Sequence, residues 1–162
     1  MNAVVSAGPL YGRPFGGTAM FIKNNLACST VNLITKERFT VVKVANWLLI
    51  NVYLPCTGTK DRLLVLNDII CELESVISVH SDCECLIGGD FNTDLNASNQ
   101  FSSAVNDFAR GNNLCRCDIL LPVTGLYTYV NESMNTKSTI DYILTSNPSL
   151  TVAFNVLDVD IN

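Results

Sequence analysis

The ten residues NWLLINVYLP, Asn46–Pro55, constrain the fold more than any other part of the chain. They are apolar on both faces and stop at a proline, which predicts a strand at the centre of a sheet with cover on each side. The period then changes. Across TGTKDRLLVLNDIICELESVISVH, Leu63, Leu66, Ile70, Leu73 and Ile77 recur at three and four residues, the pattern of an amphipathic helix of about five turns. Thr59 is the expected N-cap and Asp61 suits the first turn. A second apolar strand, ECLIGG, comes next.

Flanking segments extend this frame. GGTAMFIK (Gly16–Lys23), STVNLIT (Ser29–Thr35) and RFTVVKVA (Arg38–Ala45) are β-branched or alternating and predict strands. NQFSSAVNDFARGNNL predicts a second helix with Phe101, Val105, Phe108 and Leu114 inward and Gly111 near its end. LYTYV, STIDYILTS and TVAFNVL predict short strands. No repeat, linker or low-complexity stretch divides residues 1–162, so one domain is expected. Many strands with two crossover helices predict a layered α/β or α+β fold.

Composition narrows the class. Hydrophobic residues make up 48% and charged residues 15%, as in a globular chain with one sizeable core. The mean hydropathy of +0.28 implies a generous core or an apolar surface that expects a partner. No apolar run reaches membrane-spanning length, and the opening MNAVVSAGPLYGRP lacks the pattern of a signal peptide. The seven cysteines, several within predicted strands, read as reduced thiols of an intracellular protein, nuclear or cytoplasmic rather than secreted. Two C-x-C pairs, Cys83/Cys85 and Cys115/Cys117, have the wrong spacing for a zinc ribbon, and His80 is the one histidine; these cysteines read as small hydrophobes. The net charge of −5 argues against wholesale counterion-release binding to nucleic acid. It leaves open a divalent-metal enzyme on phosphodiesters, because the metal supplies positive charge locally.

The chemistry concentrates in CLIGGDFNTDLN, Cys85–Asn96. Gly88 and Gly89 admit a close backbone or a phosphate. Asp90 and Asn92, two apart on an extended chain, point the same way and suit a positioned water and a phosphoryl oxygen. An Asx turn, with Asp90 capping backbone amides, explains the same residues about equally well. Tyr53 ends a strand with a phenol that can donate to an anionic oxygen. Asp141 sits inside an apolar strand, where a carboxylate needs a partner, and by itself reads as a salt bridge or turn bond.

Taken in order, GRPFGGTAMFIK, LLINVYLP, CLIGGDFNTDL, LYTYV and STIDYILTS resemble the endonuclease/exonuclease/phosphatase family, above all the apurinic-like endonuclease domain of non-LTR (LINE-type) retrotransposons. The resemblance spans Gly12 to about Ser146. It implies a four-layer α/β/β/α sandwich of two facing sheets and Mg²⁺-dependent cleavage of phosphoester bonds, here in DNA. Asp90 would orient or deprotonate the attacking water, and Asn92 would hold that water and a phosphate oxygen. These two would also be the metal-side groups. Tyr53 would contact the scissile phosphate, and Asp141 would orient a catalytic histidine. Thr128 would lie beside the site, and the turn Asn131–Lys137 would be a hairpin tip probing the DNA groove. In a full-length relative, a reverse transcriptase domain would accompany the endonuclease.

The chain departs from the family at both ends. It has no acid before Glu37, where the family carries an Asn and a metal-binding Glu, and it closes on LDVDIN without the family's Ser-Asp-His. His80 reads as a surface loop residue, and Asp158 and Asp160 as polar positions of a strand. The expectation is an incomplete domain with impaired or no activity. The alternatives are a catalytically dead member used as a protein- or nucleic-acid-binding module, and a family phosphatase on another phosphoester.

Overall fold

The computed structural model describes residues 17–121, 127–151, 153 and 156, without the side chains of 132 and 150. Gly12–Gly16 and Leu126 of the family-like segments lie outside these residues, as do Asp158, Asp160 and most of the strand expected over 151–157.

The apolar run of the sequence becomes β3 (Trp47–Tyr53), joined through a tight turn to β2 (Phe39–Val44), which pairs with β1 (Thr30–Thr35) at the sheet edge. Helix α1 (Arg62–Val79) crosses over to β4 (Glu84–Asp90), and β3 and β4 pair in parallel. After α2 (Gln100–Gly111) come β5 (Cys115–Arg116), the single turn α3 (Cys117–Leu120), β6 (Tyr129–Asn131), β7 (Thr136–Ser138) and β8 (Asp141–Thr145). Among the described residues the main sheet has six strands in the order β1-β2-β3-β4-β8-β5, and β6 with β7 forms a separate hairpin. The fold is therefore mixed α/β.

Burial on β3 alternates. Leu48, Ile50 and Val52 are buried and pack with Cys85 and Ile87 of β4 against Leu66, Ile69 and Leu73 of α1 and Phe101, Val105 and Phe108 of α2. Trp47, Leu49, Asn51 and Tyr53 occupy the other face and are half-buried. Phe101, Val105, Phe108 and Leu114 are all buried as the spacing predicts, and Asn99 caps α2 by accepting from Ser102 N at 2.9 Å.

Three local expectations are corrected. Thr59 does not cap α1; its hydroxyl pairs with Cys56 Sγ, and Asp61 takes the cap position in a left-handed conformation with no side-chain cap bond. Leu63 stays 37% exposed, because the inward stripe of α1 begins at Leu66, which is 0% exposed. Residues 17–23 form no strand. They run beside the sheet, held by Gly17 N to Glu37 O, Thr18 to Thr40 and Asn51 Nδ2 to Ala19 O. Phe21 there is 94% exposed, so no apolar burial draws the segment into a ladder.

Candidate active site

Parallel pairing of β3 with β4, and antiparallel pairing of β4 with β8, bring three chain positions to one end of the sheet. Tyr53 is opposite Asp90, and Asp90 is opposite Asp141. Paired residues on neighbouring strands share a face, so the three form a row on the face away from the helices. Loop backbone extends the row: Leu54 N donates to Asp90 O at 2.8 Å and Phe91 N to Ile140 O at 2.7 Å.

Asn92 turns beside Asp90. It adopts φ 52°, a left-handed conformation that asparagine tolerates better than most residues. Asp90 Oδ1 accepts from Asn92 N at 2.8 Å, so the Asx turn is present. Asn92 Nδ2 donates to Leu54 O at 2.8 Å, which sets the plane of the amide. An amide has two N–H donors and an acceptor oxygen, so this bond leaves one N–H and Oδ1 for a water or a phosphate. Asp90 is half-buried. Burial pushes its carboxyl up, the Asn92 N–H opposes this, and the Asp141 charge adds to the rise.

Asp141 differs from the sequence expectation. It opens β8 rather than lying within an apolar strand, and it is exposed, so its charge carries no burial cost. Among the described residues no salt bridge reaches it. Thr128 braces this end of β8: its Oγ1 accepts from Ile140 N at 3.0 Å and Asp141 N at 3.1 Å. Residues 131–137 form a hairpin tip as expected. Asn131 Oδ1 accepts from Ser133 Oγ and Met134 N, while the Lys137 ammonium lies over the Tyr127 ring at 4.1 Å and bonds its hydroxyl. The hairpin thus stands beside the row, tied to it through Thr128 and not through Asn131 or Lys137.

Three residues that hold the site were not singled out by sequence reasoning. Arg62 donates from Nε to Pro55 O at 2.8 Å and from Nη2 to Asn92 O at 2.7 Å, while its guanidinium stacks on Phe101 at 3.7 Å. It clamps the post-β3 and post-β4 loops together. Arg38 lies over the Tyr53 ring at 5.6 Å, and its Nη1 is buried without a hydrogen-bond partner. Tyr142 is buried edge-on to Phe91, donates to Thr139 O at 2.8 Å and accepts from Leu95 N at 3.0 Å. Burial pushes its phenol up to about 12. Its signal was present in the sequence, since Tyr142 adjoins Asp141, but its loop partner Leu95 lies 47 residues away. A cleft of about 540 Å³ adjoins the row and shares Asn92 with it; Arg62, Asp94, Tyr129 and Ile140 also line it.

Comparisons with known proteins bear on the family and the fold. The endonuclease domain of TRAS1, a telomere-specific non-LTR retrotransposon, matches with a TM-score of 0.59 and 12% identity over 80% of this chain and 64% of its own. The 3′ phosphatase NExo from Neisseria, solved bound to a product DNA hairpin, matches with a TM-score of 0.57 and 16% identity over 75% of this chain and 56% of its own. The chain thus spans less than two thirds of the length of either structure, and at these identities the likeness is one of fold. No curated protein sequence matches it. The family profile described as Endonuclease-reverse transcriptase matches residues 47–160, which takes in β3, β4, β8 and every loop that carries the row. On that match the chain belongs to the endonuclease-reverse transcriptase family, with the fold of the endonuclease/exonuclease/phosphatase enzymes.

Proposed function

We infer that this chain carries the phosphate-side part of a metal-dependent DNA endonuclease site of the retrotransposon type, within a four-layer α/β/β/α sandwich. The observation that carries the reading is the row Tyr53, Asp90 and Asp141, with Asn92 turned beside it, at the common end of β3, β4 and β8. In this reading Asp90 orients or deprotonates the attacking water. Asn92 holds that water and a phosphate oxygen through the N–H and Oδ1 that its Leu54 bond leaves over. Tyr53 donates to the scissile phosphate, with the Arg38 guanidinium behind its ring. Asp141 is placed to orient a histidine, and the hairpin with Asn131 and Lys137 meets the DNA groove beside Thr128.

The donors present fit Mg²⁺. Asp90 and Asn92 offer hard oxygen ligands that would hold the ion, and the Asp141 charge acting on Asp90 adds negative potential that would favour a divalent cation. Bound there, the metal would neutralise phosphate charge in the transition state. Within the 162 residues, however, no acid precedes Glu37, and the one histidine, His80, follows α1 at the opposite end of β4. Seven strand residues separate the two ends, roughly 20 Å. A polypeptide of these 162 residues alone is therefore expected to hydrolyse poorly, and the second reading is a binding module without catalysis.

Nicking of supercoiled plasmid tests both. The purified chain should not nick with Mg²⁺ or Mn²⁺. Adding the early acidic and late histidine segments of a full-length relative should restore nicking, and Asp90→Ala in that restored protein should abolish it. Nicking by the 162-residue chain itself, lost in Asp90→Ala, would overturn the impairment. Restored protein that binds DNA but never nicks would favour the binding module.

A further inference from the structure

At the end of the sheet remote from Asp90, the turn between α1 and β4 gathers a different set of donors. His80 ends α1, with its N–H on the Val76 and Ile77 carbonyls, and Cys83 N donates back to His80 O at 2.9 Å. This closed turn places one ligand atom each of His80, Asp82 and Cys83 within 4.8 Å of one another. The Cys83 thiol faces Asp82 Oδ1 at 3.8 Å, while Lys43 approaches the other oxygen, Oδ2, at 3.8 Å. Asp82 can therefore offer Oδ1 without releasing Lys43. The C-terminus of α1 adds negative potential, and a cleft of about 500 Å³ opens over the three residues. Two nearby groups are already committed. Glu84 is held by Ser146 Oγ and Asn147 Nδ2, and Cys85 is buried with its thiol pushed up to about 12 by that burial.

We propose that His80, Asp82 and Cys83 form a binding site for a borderline-soft divalent cation of the Zn²⁺ class, separate from the candidate active site. Sulfur, nitrogen and one carboxylate oxygen are the donor types zinc takes, and three protein ligands leave a fourth position to water. The ligands come from an H-x-D-C turn, not from the C-x-C pair, so cysteine spacing alone does not reveal them. A bound ion would staple the end of α1 to the start of β4.

The test titrates the chain, kept reduced, with Co²⁺ and then displaces it with Zn²⁺ against a chromophoric chelator. One Co²⁺ per chain should bind and give a thiolate-to-cobalt charge-transfer band. Cys83→Ser should remove the band. His80→Ala and Asp82→Asn should each weaken Zn²⁺ binding about tenfold or more, as even outer-shell changes do. Cys28→Ser and Cys71→Ser, at exposed cysteines elsewhere, should change nothing. On the unaltered chain, Zn²⁺ should slow alkylation of Cys83 but not of Cys28, read by mass spectrometry. Absence of the band, its survival in Cys83→Ser, or equal Cys83 alkylation with and without Zn²⁺ would overturn the site.

Discussion

Gly89 and Asp90 illustrate opposite demands on adjacent residues. Gly89 has φ +138°, and a Cβ there would lie 2.0 Å from Val52 O and 2.9 Å from Asn51 Oδ1. That close approach keeps β3 and β4 in the register that sets Tyr53 against Asp90. Gly89→Ala is expected to cost about 2–4 kcal/mol in urea unfolding, from backbone strain and a clash that no rotamer relieves. Asp90 instead carries a stability cost. Its folded value lies above the unfolded one, mainly through burial. The associated stability is therefore fully present below the unfolded carboxylate value of about 4 and is lost as pH rises through the folded value. Asp90→Asn should raise Tm at neutral pH, with the gain vanishing below about pH 3, because the amide oxygen can still accept from Asn92 N. Melting curves across pH check this; an equal effect at every pH would refute the burial argument.

At the scale of elements, α1 and α2 are held differently. The corrected stripe of α1 distinguishes two leucines three residues apart. Leu66→Ala empties a fully buried position and should cost about 2–5 kcal/mol, whereas the partly exposed Leu63→Ala should cost well under about 1 kcal/mol. Similar losses from both would mean that α1 is rotated from the orientation described. Helix α2 relies on its cap and on its link to the site loop, where Ser102 Oγ donates to Asp94 O at 2.8 Å. Asn99→Ala should cost about 1 kcal/mol, measured by chemical denaturation. Arg62 joins the two loops at the ends of β3 and β4, so its loss should loosen the row while leaving the sheet intact.

For the whole molecule, the decisive feature is uncovered apolar surface. Val31 on the edge strand β1, Leu64 and Val79 on α1, Ile119 on α3, and Val130 and Met134 on the hairpin are all exposed. Among the described residues no strand pairs with the outer edge of β1 beside Val31, and an open edge is a recognised route to association. The 162-residue chain by itself is therefore expected to be poorly soluble and to unfold with weak cooperativity. Val31→Lys should reduce association seen by light scattering. A sharp, reversible melt from a soluble monomer would contradict the expectation. No helix among the described residues is long and apolar enough to cross a membrane, so these side chains do not form a helical span.

Local pattern by itself determined the central strand Trp47–Tyr53, the crossover helix, the G-G-D-F-N loop and the inward face of α2, because hydrophobic period and proline stops act over a few residues. It also put Tyr53 and Asp90 at strand ends, while Asp141 was expected inside a strand. That they form one row was decided by register, which depends on pairing between segments 37 and 51 residues apart. The same holds for the exposed start of β8, for the Arg62 clamp with its partner 30 residues away, and for Tyr142 beneath the loop. Residues 17–23 carry strand-forming side chains, yet tertiary structure leaves them outside the ladder, since nothing buries Phe21. Propensity is summed along the chain, whereas burial and pairing are settled across it, and the second outweighs the first wherever they disagree.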